Sequence, residues 1–185
     1  TDYNLNNGFK GTRRDARQSF VWWGVPVYAI NPVNDNCEIL AQAVDYKNNV
    51  VAPCCMGVFE NSVGGRICVS GYYPWTFLQS FAKTSQIKSI IRWLSKDNLQ
   101  AYVQSFHKMT MWCRYTEQGS PVVILINSSL DTAKDVVLML KTESSSIRIY
   151  DMNCRDTTVI STNTDGPYKK FILPTIDSWE MRMII

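Results

Sequence analysis

At 185 residues, 45% of them apolar and 12% aromatic, the chain has material for one ordinary domain or two small ones, each with a real core. Disorder and collagen-like structure are excluded by that composition. Nineteen Lys and Arg stand against 16 Asp and Glu, and the resulting net charge of +3 is too weak a field to argue for nucleic acid or an anionic membrane surface as a partner.

The chain opens on Thr1-Asp2-Tyr3-Asn4, with no charged start leading into an apolar h-region. No run approaches the roughly 18 apolar residues that would span a bilayer. An opening without Met, already of high sequence complexity, is expected of a processed product or of a piece of a longer protein. Ser19 to Asn31 (SFVWWGVPVYAIN) is rich in β-branched and aromatic types and closes on Asn31-Pro32, which predicts an extended segment. Trp22 and Trp23 point to opposite faces of such a segment, so one of the two serves the core and the other an interface or a ligand. Cys37 to Tyr46, Val50 to Glu60 and the short run Gly65 to Gly71 continue in the same manner. Together these runs predict successive strands of one sheet.

Six cysteines fall in the chain (Cys37, Cys54, Cys55, Cys68, Cys113, Cys154) with no C-x-x-C pair, and His107 is the only histidine. The ligand spacing of a structural zinc site is therefore missing, and no metal or other cofactor is expected. Cys37, Cys55, Cys68 and Cys113 lie within or beside apolar strand-like runs, where a free thiol behaves as a small hydrophobe; one or two disulfides are the alternative. Pro53-Cys54-Cys55-Met56-Gly57 is the sharpest nucleophile-like stretch, yet neither cysteine has the Gly two residues before it that a nucleophile elbow requires. A thiol hydrolase using Cys54 or Cys55 with His107 as base is the weakest of three functional readings. Gly64-Gly65-Arg66 precedes a strand and opens no helix, so it predicts a turn and not a phosphate loop.

Gly71-Tyr72-Tyr73-Pro74-Trp75 lies between a strand and a helix and gathers three aromatics. Such rings either stack on sugar C–H surfaces or pack a seam, and Pro at the start of a helix is equally at home in the second role. Tyr72, Tyr73 and Trp75, together with Trp23, are the candidate binding residues. After Pro74 the apolar period changes to three and four: Trp75, Leu78, Phe81, Ala82, Ile87, Ile90, Ile91 and Leu94 predict an amphipathic helix or helix pair laid on the preceding sheet. A second short helical piece is expected near Asn98 to Ser105.

From His107 onward the pattern is one of short strands: HKMTMWCRYT, PVVILIN, DVVLMLK, SIRIYDM, TTVIST, YKKFILP and SWEMRMII. Glu117-Gln118-Gly119-Ser120 and Thr164-Asp165-Gly166-Pro167 are the clearest turns between them. Seven strands at this spacing predict an antiparallel β-sandwich. In the last of them Trp179, Met181, Met183 and Ile185 alternate with Glu180 and Arg182, one face in and one face out. An ending on Ile184-Ile185 is expected of a paired strand at the natural end of a protein. Glu60, Asp45, Asp151 and Asp177 are acids at strand ends, but no spacing pairs them as glycosidase carboxylates, and solvated turn residues are expected. Asn127-Ser128-Ser129 has the form of a glycosylation sequon behind a buried-looking strand and carries no weight.

Glu60-Asn61-Ser62-Val63-Gly64-Gly65-Arg66, Gly71-Tyr72-Tyr73-Pro74-Trp75, Arg92-Trp93-Leu94-Ser95 and the ending from Leu173-Pro174 to Trp179 together carry a resemblance. The chain resembles the C-terminal part of large secreted β-galactosidase-like glycoside hydrolases, in which a catalytic barrel is followed by a domain similar to class I glutamine amidotransferases and then by a small β-sandwich. The resemblance implies an α+β, mainly β chain: residues 1–104 as the sheet-and-helix end of the amidotransferase-like domain, and 105–185 as the closing sandwich. No barrel of about 250 residues fits here, so no position takes a catalytic carboxylate. The resemblance thus implies a non-catalytic accessory region with a structural or oligomerisation role, secreted, periplasmic or at the cell surface. Its expected partners are the rest of a larger chain or further copies of itself, with a glycan as the alternative. In that alternative the chain is a carbohydrate-binding module using its exposed aromatics.

Overall fold

The computed structural model describes residues 27–33, 35–45, 47–73 and 81–185. The chain is mainly β, with antiparallel sheets, as its sequence predicts, and it divides into two compact units between Asp97 and Asn98.

In the first unit, β1 (Glu38–Val44), β2 (Val50–Glu60) and β3 (Arg66–Ser70) form a three-stranded antiparallel meander in the order β1-β2-β3. Of the predicted extended segment, Trp22, Trp23 and the residues up to Pro26 lie outside the described residues. Its remainder bonds to this sheet, with the Tyr28 N–H donating to Gly71 O at 2.7 Å and the Ile30 N–H to Cys54 O at 2.8 Å. The approach at Gly71 is close enough that a Cβ there would stand 2.0 Å from Tyr28 O, so only glycine fits. Between β2 and β3, Asn61 Oδ1 accepts the N–H groups of Val63 and Gly65 and holds the predicted turn.

Helix α1 (Phe81–Leu94) covers one face of the meander. Its buried stripe is Gln86, Ile90 and Trp93, with Ile87 half-buried, whereas Ile91 and Leu94 are exposed. The expected stripe is thus turned by about one residue. The cause is a pair of polar ties: Gln86 Nε2 donates to Leu40 O at 3.1 Å, and Arg66 of β3 donates to Trp93 O at 2.8 Å with its guanidinium 5.0 Å from the Trp93 ring centre. Arg66 also pairs with Glu60 at 2.8 Å. The helix ends where Lys96 and Asp97 turn left-handed (φ 52° and 58°) and the Asp97 carboxylate takes the Arg92 guanidinium at 2.6 Å.

The second unit begins with β4 (Ala101–Val103), a strand where the sequence predicts a helical piece. Local propensity loses here to pairing: β4 lies along β7 (Val137–Lys141) with Ala101 opposite Leu140, and both Ala101 and Val103 are buried. All seven predicted strands are present as β5 (Met109–Tyr115), β6 (Pro121–Asn127), β7, β8 (Ser146–Tyr150), β9 (Asp156–Ile160), β11 (Tyr168–Ile172) and β12 (Met181–Ile184). A short β10 (Asn163–Asp165) is joined to β11 through Gly166 at φ 57°. They make a four-stranded sheet, β10-β11-β7-β4, and a five-stranded sheet, β5-β6-β12-β8-β9. Val123, Leu125, Leu138, Leu140, Ile147, Ile149, Phe171 and Ile184 come from both sheets and bury one common core. Each such side chain contributes roughly 1.5–3 kcal/mol on leaving water.

The last strand has the opposite phase to the expected one. Ile184 is fully buried, while Met181, Met183 and Ile185 remain 37%, 36% and 44% exposed and Trp179 is an exposed corner at φ 60°. The register decides this: Ile184 stands opposite Val123 of the core row and Met183 opposite Ile124, and a shift of one residue exchanges the two faces of a strand.

Candidate functional site

Of the four candidate binding residues, Trp23 and Trp75 lie outside the described residues. Tyr72 and Tyr73 are neighbours with opposite surroundings. The Tyr72 ring is buried, its hydroxyl 3.9 Å from Met56 Sδ, and burial holds its pKa far above the usual phenol range. The Tyr73 ring is 63% exposed and available to solvent.

The thiols have core surroundings. Cys54 and Cys55 are 1% and 3% exposed, and burial pushes both thiols up, against the pull of the Lys83 ammonium in the case of Cys55. A raised thiol is a poorer nucleophile at neutral pH, because the thiolate is the reacting form. His107 belongs to the other unit, where its Nδ1 lies 3.0 Å from Ser105 Oγ. All six cysteines are free. Among the described residues no group of three or more His, Cys, Asp or Glu is placed to hold a metal, and no helix is long and apolar enough to cross a membrane.

The strand-end acids are committed to turns or to a cation. Asp45 Oδ1 accepts the N–H groups of Lys47 and Asn49, and Asp151 Oδ1 those of Asn153 and Arg155. Asp177 accepts the Thr132 hydroxyl at 3.3 Å, and Glu60 holds Arg66. Asn127 of the sequon is fully buried and cannot take a glycan. Its Nδ2 donates to Asp131 O, Ile176 O and Asp177 O at 2.8–3.1 Å, and its Oδ1 accepts the Ser129 N–H.

The most unusual surface is the outward face of the five-stranded sheet. Inward positions are fixed by the core: Met109, Met111 and Cys113 on β5, Val123 and Leu125 on β6, Ile184 on β12, Ile147 and Ile149 on β8, and Val159 on β9. Every alternate residue therefore faces out. The pairing registers align Trp112, Ile124, Met183, Tyr150 and Asp156 in one outward row across all five strands. Ile126 and Met181 extend it on one side, and Val122 and Ile185 on the other. An antiparallel sheet with one solvated face normally alternates apolar-in with polar-out. Here the central strands β6 and β12 offer only apolar side chains outward, Trp112 is 46% exposed at one edge, and charge is confined to Asp156 at the other end of the row and to Arg114 and Arg148 in the row beside it.

This face was not among the expected sites. Its signal was the unbroken apolar run Pro121 to Ile126, since a strand that is apolar at both parities is one covered on both sides. Comparison with known proteins matches the chain to no family model, no curated protein and no solved structure.

Proposed function

We propose that this chain is a non-catalytic accessory region of a carbohydrate-active protein, in which the sheet-and-helix unit and the C-terminal sandwich serve assembly. The sheet-and-helix unit is then the end of an amidotransferase-like domain, as the motif resemblance implies, and the protein acts at or outside the cell envelope. The single observation that carries the assembly role is the apolar outward row Trp112-Ile124-Met183-Tyr150. A face of this kind is stable in water only at a cost, and contiguous apolar patches on folded proteins mark interaction surfaces.

The test is to place a charge in the middle of the row with Met183→Glu. For an interface, this variant keeps its free energy of urea unfolding to within about 1 kcal/mol, as surface changes do, and loses binding of the apolar dye bis-ANS. A loss of several kcal/mol with unchanged dye binding would mean that the chain itself covers the face, and the assembly reading would fall.

A further inference from the structure

Resting on the reading that the outward face of the five-stranded sheet is an interface, we infer that its occupant is a second copy of this chain, packed about a two-fold axis that runs along β12. In the order β5-β6-β12-β8-β9, β12 is the central strand. A two-fold along β12 lays β5 of one copy over β9 of the other and β6 over β8, and it leaves each outward row facing the same row. Trp112 and Ile124 of one copy then cover Asp156 and Tyr150 of the other, and Met183 meets its own equivalent at the axis.

Charge selects this axis. The basic Arg114 stands on β5 at one margin of the face and the acidic Asp156 on β9 at the opposite margin, both exposed. The two-fold along β12 brings each Arg114 within one residue row of the partner copy's Asp156, a step an arginine side chain can reach. Arg148 lies one row from Asp156 on the same copy, so the carboxylate is bracketed by two guanidinium groups. A two-fold across the strands would lay β5 on β5 and β9 on β9, setting Arg114 four strands away from the partner copy's Asp156 and leaving only the diagonal Arg148 across the interface.

Area sets the strength. Five strands about 4.8 Å apart, each offering three outward residues about 6.8 Å apart, make a footprint of roughly 480 Å² per copy. Two copies bury on the order of 1,000 Å², at the lower limit of specific interfaces. The dimer is therefore weak and concentration-dependent.

Sedimentation velocity of the full chain from about 1 to 300 µM tests the inference, with circular dichroism confirming that each variant is folded. The wild type is expected to pass from monomer to dimer across that range. Arg114→Asp and Asp156→Arg should each weaken the dimer at least about fivefold, since each places like charges together, and the double swap should restore it to within about twofold. A dimer that Met183→Glu abolishes but the double swap leaves unrestored overturns this two-fold while keeping the face as an interface. A chain that stays monomeric throughout overturns the second copy as occupant and leaves the Met183→Glu stability and dye test to decide on the interface itself. An outcome in which the wild type binds a soluble oligosaccharide through Trp112 and does not self-associate also overturns it, in favour of a glycan.

Discussion

Asn127 shows how much one side chain can hold. It ends β6 inside the core, and its amide gathers three carbonyls from two separate segments, Asp131 on one side and Ile176 and Asp177 on the other. Removing it takes the side-chain donor from all three, leaving Ile176 O with the Ala133 N–H and Asp177 O with the Glu180 N–H, and it strips the amide's own bonds from a fully buried position, which is the expensive direction for a hydrogen bond. Asn127→Ala is expected to cost about 2–3 kcal/mol, read as a shift in the urea midpoint at unchanged slope. The thiols give a second residue-scale prediction. In native protein at pH 7.5, iodoacetamide should leave Cys54 and Cys55 unmodified and label the exposed Cys154, with peptide mass spectrometry as the readout. Rapid labelling of Cys55 would instead revive a reactive-thiol role.

At the scale of elements, α1 separates two readings of the same apolar residues. Trp93 is buried against the meander and tied through Arg66, whereas Ile91, two residues earlier, is 41% exposed. Trp93→Ala should cost about 3–5 kcal/mol and Ile91→Ala under about 1 kcal/mol, measured as urea unfolding of the first unit. A greater cost at Ile91 than at Trp93 would restore the stripe that the sequence predicts. The turns after β1 and β8 carry a pH dependence. Asp45 is held below the ordinary carboxylate range by its bonds from the Asn49 side chain and backbone, and Asp151 by the backbone N–H groups of Arg155 and Asn153. A folded-state pKa below the unfolded one means that the unfolded chain binds more protons in that interval, so stability rises with pH across it. The contribution is complete above about pH 5 and is lost as pH falls below about 4 toward the folded values. Asp151→Asn should flatten the acid limb of the stability profile.

For the whole molecule, the two units each have their own core, built from residues on one side of the division at Asp97 and Asn98. Residues 98–185 expressed alone should therefore give a β-type circular dichroism spectrum and a cooperative melt. An unfolded product would show that the second unit depends on the first. The proposed two-fold uses only residues of the second unit, so the same fragment should self-associate as the full chain does.

The amino-acid sequence by itself determined the class and most of the strands. Period-two runs such as SIRIY and turns such as Gln118-Gly119 are set by local sterics and by which side chains avoid water, and Gly119 does sit at φ 80°. Period alone also located α1. Tertiary structure decided phase and partnership. Whether Met183 or Ile184 enters the core depends on the register with β6, some sixty residues away. Whether 98–105 is helix or strand depends on β7, and the stripe of α1 depends on ties from Leu40 and Arg66. One segment, the unbroken apolar run of β6, signals an apolar outward face, but the row itself exists only once the strands lie side by side, with Trp112, Ile124, Met183 and Tyr150 coming from four of them.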